Sequence, residues 1–141
     1  MAYLKPPAVV RRVVNPLVDR FGFAGAETVV VRGRRSGHPR KVPVRPLSYD
    51  GNRYLVSTYG EADWVRNLRA AGGGGELHRR GAAQPFSAIE VPVQDRPPVI
   101  AAYCETSSGF VKAYFEKLPD PADHPVYRIV NAGDPPKTPG V

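Results

Sequence analysis

Glycine and proline interrupt this chain so often that long regular elements have little room. There are 14 glycines and 16 prolines among 141 residues. Proline removes a backbone donor and fixes φ, while glycine lets the chain turn tightly. Such punctuation favours short strands joined by turns over a helical bundle. Apolar runs are short, as in Val29-Val-Val31, and none approaches the ~18 residues of a membrane-crossing helix. The hydrophobic fraction of 42% is nevertheless that of a globular chain. The length suits a single domain over residues 1–141 with a core of its own.

The pattern can be followed along the chain. In residues 8–20, Val10, Val13, Val14, Leu17 and Val18 recur at helical spacing, and Arg11, Arg12 and Arg20 lie off that face. Residues 1–24 therefore read as an N-terminal helical segment, kinked or restarted at Pro16. Residues 27–32 are β-branched and short. Residues 41–49 alternate, with Val42, Val44 and Leu47 on one side, and Pro43 and Pro46 suit a sheet edge or bulge. Asp50-Gly-Asn52 is a hairpin turn, answered by a return strand over 53–58. A short helix is expected over 61–71, stopped by the glycines at 72–75. Strands follow over 76–80 and 86–93, with a turn at Gly81. Helical stretches begin at Pro97 and Phe110, a last strand covers 125–130, and residues 133–141 read as a loose tail. Six short strands connected mostly by turns imply a mainly β fold, a small barrel with flanking helices. A doubly wound parallel sheet would need repeated crossover helices.

Charge concentrates in one place. The 20 Lys and Arg residues outnumber the 13 Asp and Glu residues, giving a net charge of +7 that suits an anionic partner. Six of the basic residues, Arg32, Arg34, Arg35, Arg40, Lys41 and Arg45, fall within 14 positions that contain no acid. Gly33 and Gly37 let the backbone approach a ligand, Ser36 adds a hydroxyl, and loop amides of this kind form anion nests. Arginine forks match phosphate and carboxylate. A solvated basic hairpin is the bland alternative.

Other chemistries fail on spacing. Gly33-Arg-Arg-Ser-Gly37 is neither a nucleophile elbow nor a Walker loop, and no dinucleotide fingerprint is present. His38, His78 and His124 share no ligand spacing, so no metal is expected. The lone Cys104 excludes an internal disulfide and reads as a small apolar residue. The first seven residues lack the apolar core of a secretory signal. The cytoplasm is the simplest compartment, with peripheral contact to an anionic membrane open through the N-terminal helix.

A second feature follows the hairpin. Ser57-Thr-Tyr-Gly60 ends a strand in small residues, and Asp63-Trp-Val-Arg-Asn-Leu-Arg69 then opens a helix. Trp64 and Leu68 read as core contacts, whereas Asn67 on the same face needs polar partners if buried.

Taken in order, Gly33-Arg-Arg-Ser-Gly-His-Pro-Arg40, Val42-Pro43, the hairpin over 49–56, Ser57-Thr-Tyr-Gly60 and the Trp64-x-x-Asn67-Leu68 helix resemble the deazaflavin-dependent nitroreductase/quinone reductase family. The likeness covers about residues 25–95 and again the strand near Pro125-Val-Tyr-Arg128. It implies a split β-barrel of the FMN-binding/F420-binding type. It implies coenzyme F420, a deazaflavin with a phosphodiester and an oligoglutamate tail, with flavin mononucleotide as second choice. On the same resemblance, Arg34, Arg35, Ser36, Gly37, Arg40 and Lys41 hold phosphate and glutamates, and Val42 and Pro43 also contact the cofactor. Ser57, Thr58, Tyr59 and Gly60 lie along the ring, and Trp64, Asn67 and Arg69 lie near ring or tail. The glycines at 72–75 stand where the family usually has an Asn-Pro-like turn, and Tyr103, Phe110, Tyr114 and Phe115 do not map one by one onto its substrate-side aromatics.

The expected function is hydride transfer between reduced F420 and a quinone-like or nitro-type acceptor, in a homodimer, with no catalytic side chain singled out. A non-catalytic F420 carrier is the alternative. A nucleic-acid-binding barrel ranks last, because residues 32–45 hold no aromatic for base stacking.

Overall fold

The computed structural model describes residues 27–79 and 81–131. The helix expected over 8–20 and the tail from 133 lie outside them.

The β-branched run Thr-Val-Val-Val forms β1 (Glu27–Arg32), with Val29 and Val31 buried. β1 pairs antiparallel with β2 (Pro39–Val44) on one side and β5 (Gly74–Arg79) on the other. β2 is an edge strand, the position in which its prolines cost no ladder bond on the open side. The hairpin of β3 (Leu47–Tyr49) and β4 (Asn52–Val56) closes through Asp50 and Gly51, both at positive φ, as a type I′ turn demands. β6 (Ala82–Glu90) and β7 (Val126–Asn131) complete an antiparallel sheet of order β2-β1-β5-β6-β7-β4-β3.

Among the described residues the strands number seven rather than the six expected. The alternating stretch 41–49 divides at Arg45 and Pro46, and its halves become the two opposite edges of the sheet. Val42 and Val44 pack on one core cluster, Leu47 on another. Elsewhere the expected limits move by a few residues: β5 begins at Gly74, inside the glycine run, and β6 already at Ala82.

The sheet curls into a half-barrel. β1 and β4 are separated by three strands in the sheet, yet Arg53 Nη2 of β4 donates to Glu27 Oε2 of β1 at 2.5 Å. The concave interior holds Val29, Val31, Leu55, Leu77, Phe86, Ala88 and Tyr127. The helix α1 (Asp63–Ala70) adds Val65 and Leu68, both fully buried, to this cluster. It therefore fills the concave side instead of packing outside the barrel as expected. The convex face of β3, β4 and β7 is covered by α2 (Arg96–Glu105) and α3 (Gly109–Lys117) through Val99, Tyr103 and Phe115. β4 is consequently buried on both faces at Tyr54, Leu55 and Val56.

Two glycines of the run have packing duties. α1 ends in a Schellman pattern, with Gly73 N donating to Leu68 O and Gly72 N to Arg69 O. At Gly73, φ is +91°, and an added Cβ would lie 2.0 Å from the Ala88 carbonyl oxygen. The chain passes that close to β6 because the residue has no side chain.

Candidate functional site

The basic segment forms the turn between β1 and β2. Its base is closed by Gly33 N donating to His38 O and Gly37 N to Gly33 O, at 2.8 and 2.9 Å. Ser36 Oγ accepts from His38 N at 3.2 Å, so the expected hydroxyl helps to shape the loop. Gly37 sits at φ +74°.

The six basic residues divide into different duties. Arg34 is turned inward: its backbone N–H and its Nη1 both donate to Asn67 Oδ1, at 3.1 and 2.7 Å, and Nη2 reaches Asp63 Oδ1 at 3.3 Å. Arg45 bonds Thr106 and Ser107 and lies over the Tyr103 ring, fastening the crossing between β2 and β3 to the turn after α2. Arg35, Arg40 and Lys41 are exposed, and among the described residues Arg35 and Arg40 make no ion pair. Val42 and Pro43 are half-buried on the edge strand that continues from them.

The turn at 57–60 leads directly into α1. Ser57 Oγ donates to Gly60 O at 2.5 Å, and Gly60 O also accepts from Ala62 N. Gly60 is at φ +87°, a conformation the turn needs. Thr58 is buried and Tyr59 half-buried. Tyr59 meets Tyr114 of α3 edge-on, with ring centroids 4.8 Å apart, and Tyr114 meets Phe110 in the same way. His124 bridges this turn to α3: its Nδ1 lies 2.7 Å from Ser57 O, its Nε2 meets Leu118 O, and its ring stacks on Phe115.

On α1, Trp64 packs on the concave cluster beside Tyr127, as its spacing implies. Arg69 is directed to carboxylates, donating to Glu90 at 3.0 and 2.8 Å and to Glu61 at 3.3 Å. The bond to Glu90 leads in holding the Arg69 guanidinium charged. The same bond pulls Glu90 below the usual carboxylate range. Burial, with Glu90 second, pushes the Tyr127 hydroxyl up to about 12.

The structure thus joins the loop at 33–41 to α1 through Arg34 and Asn67, and joins the turn at 57–60 to the same helix. It does not bring Arg69 to the loop. Asp63 went unrecognised as a partner of the loop. Its spacing of four from Asn67, which puts both on one helix face, was the available signal. Glu90 carried no local signal, since its partners come from α1, α2 and β7. An open cavity of about 250 Å³ is lined by Glu90 with Tyr54, Ile89, Val91, Val99 and Arg128 among others, and no residue of the loop at 33–41 or the turn at 57–60 lines it.

A family model described as F420H(2)-dependent quinone reductase matches residues 7–114. No curated protein matches the chain. Among solved structures, one described as an F420-H2 dependent reductase is 18% identical, with a TM-score of 0.54 over 76% of this chain and 95% of its own. Another, described as a domain-swapped dimer, is 17% identical, with a TM-score of 0.56 over 89% of this chain and 100% of its own. A third, from Clostridium acetobutylicum, is described as related to general stress protein 26 of B. subtilis, of the pyridoxinephosphate oxidase family. It is 16% identical, with a TM-score of 0.52 over 89% of this chain and 86% of its own. At these identities the solved structures speak for the fold, a split β-barrel. The family model spans most of the chain, including the basic loop, the hairpin and the Trp-x-x-Asn-Leu helix, and the protein belongs to the F420H2-dependent quinone reductases, enzymes whose cofactor is coenzyme F420.

Proposed function

We propose that this chain reduces a quinone-like or nitro-type small molecule at the expense of reduced F420, and that the loop at 33–41 holds the anionic part of the cofactor. The observation that carries this is the pair of exposed arginines, Arg35 and Arg40, on a loop whose backbone is closed at its base and fastened to α1. The donor set fits a phosphodiester with several carboxylates: two planar forks, the Lys41 ammonium, and the amides around Gly37. Val42 and Pro43 continue the same edge beside the loop.

When bound, the deazaflavin supplies the hydride. The chain's own residues bind and orient. Thr58, Tyr59 and the backbone of Ser57 and Gly60 form the wall along the ring. Ser57 serves by keeping the turn closed, because its hydroxyl is spent on Gly60 O. Trp64 keeps α1 seated on the concave core. Arg69 contributes by holding the end of α1 against β6, its Nε and Nη2 donating to Glu61 and Glu90. The Tyr127 hydroxyl is buried and stays protonated near neutral pH, so it is a structural group in this reading. A homodimer belongs to the same reading, supported by the related structure described as a domain-swapped dimer. Among the described residues no helix is long and apolar enough to cross a membrane.

The test is a titration of purified protein with long-tailed F420, tail-free deazaflavin and flavin mononucleotide, followed by turnover with a quinone. Long-tailed F420 is expected to bind best, because the loop offers more positive charge than one phosphate can use. Equal affinity for the long-tailed and tail-free compounds would remove the loop from the tail. Binding without turnover of any acceptor would favour a carrier.

A further inference from the structure

The loop carries two kinds of arginine, and the inward one has an unusual anchor. Asn67 is 5% exposed, on a helix whose neighbouring residues Val65 and Leu68 are fully buried in the concave core. Its Oδ1 has two lone pairs, and Arg34 fills both, one from the backbone N–H and one from the guanidinium. Main chain and side chain of one loop residue are thus tied to a single buried atom 33 positions away. The outer tie, Arg34 to Asp63, is weak by comparison. The Asp63 side chain is 84% exposed, and exposed pairs are worth little.

We infer that Asn67 is a positioning residue for the anion-binding loop, acting through Arg34 and not by touching the cofactor. The inference rests on the reading of residues 33–41 as the anion site. A turn rich in glycine and like charges repels itself and samples many shapes. Fixing Arg34 at both its backbone and its fork holds the following amides and the forks of Arg35 and Arg40 in place before the anion arrives. Less ordering is then left for binding to accomplish. It also turns Arg34 away from solvent, which leaves Arg35 and Arg40 as the outward forks.

The experiment compares F420 affinity, KM for F420 and kcat in wild type, Asn67→Leu, Asn67→Asp, Arg34→Ala and the Arg34→Ala/Asn67→Leu pair, with Arg40→Ala alongside. Leucine keeps the branched four-atom outline of asparagine but has no acceptor. It is expected to weaken F420 binding and raise KM about tenfold while kcat at saturation stays within about twofold, since the loss is of pre-organisation. Aspartate keeps an oxygen facing Arg34 and should restore binding to within about threefold of wild type. In the Arg34→Ala background the leucine change should cost less than about twofold more, because its route is already cut. If the leucine variant does not fold, Asn67→Ser, too short to reach Arg34, carries the same expectations.

A tenfold loss that persists in the Arg34→Ala background would put Asn67 directly on the cofactor and overturn the inference. A fall in kcat with KM unchanged would do the same, by moving the residue to the reacting ring. Should Arg40→Ala weaken F420 binding while Asn67→Leu does not, positioning fails and the anion site stands. If Arg40→Ala leaves binding unchanged, the loop is not the anion site and both readings fall.

Discussion

The loop at 33–41 and the charged cluster between α1, β6 and α2 hold arginines under opposite conditions. Arg35 and Arg40 are exposed and, among the described residues, unpaired by carboxylates. Arg96 is the reverse. Its side chain is 6% exposed, and its guanidinium meets the carbonyls of Val91 and Pro121 at 2.9 and 3.2 Å and Glu90 at 3.3 Å. Arg69 shares Glu90 and adds Glu61. An arginine whose donors are directed to carboxylates and carbonyls of its own protein is a clamp. One whose donors face water is available to a ligand. Arg34 lies between them, spent on the protein yet placed inside the loop at 33–41.

The largest effect that would break this contrast is at the clamp. Arg96→Ala leaves Glu90 and several carbonyls short of a donor, and each charge-assisted hydrogen bond lost is worth about 1.5–3 kcal/mol. Denaturant melts should show that loss, while the folded fraction keeps wild-type affinity for F420. Wild-type stability in the variant would erase the distinction between the two regions.

Arg40→Ala should give the opposite pair of results. A charge-assisted hydrogen bond is worth roughly 1.5–3 kcal/mol, so F420 binding should weaken about ten- to a hundredfold. The melting temperature should hardly move. The loss should be larger for a cofactor with several glutamates and should shrink at high salt. If affinity holds and the melting temperature falls, Arg40 is a structural residue.

Acid sharpens the comparison further. The Arg69 bond draws the Glu90 carboxyl below its ordinary value of 4.5. A group with a depressed folded value contributes stability that is fully present above the unfolded value and is lost as pH falls through the folded one. Stability should therefore drop as pH is taken below about 4.5, and Glu90→Gln should flatten that limb in melts run from pH 6 to pH 3. Arg40→Ala should leave the limb as steep as in wild type. The smallest effect belongs to Asp63→Asn: its exposed pair with Arg34 is worth at most about 1 kcal/mol, to be read as a shift in thermal midpoint.

Local chemistry made much of the fold legible. β1 needs only its β-branched run, the turn at Asp50 and Gly51 needs only two residues that accept positive φ, and α1 needs only its apolar spacing and the glycines that end it. The division of 41–49 was not legible, since alternation continues across Arg45 and Pro46 while the pairing partners change from β1 to β4. Period two states which residues share a face, not which neighbour supplies the other half of the ladder. The same limit applies to the site. The loop and helix motifs could be read as one functional set, whereas the bonds from Arg34 to Asn67 and from Arg69 to Glu90 could not.

The sequence by itself determined the turn-rich, mainly β architecture, the cluster of positive charge at the first hairpin, and the family. Each is carried by residues close together in the chain or by motifs in fixed order. Only the tertiary structure decided which arginines remain open to an anion. That depends on carboxylates and carbonyls up to 33 positions away, and a guanidinium looks the same in the sequence whether its partner is Asn67, Glu90 or solvent.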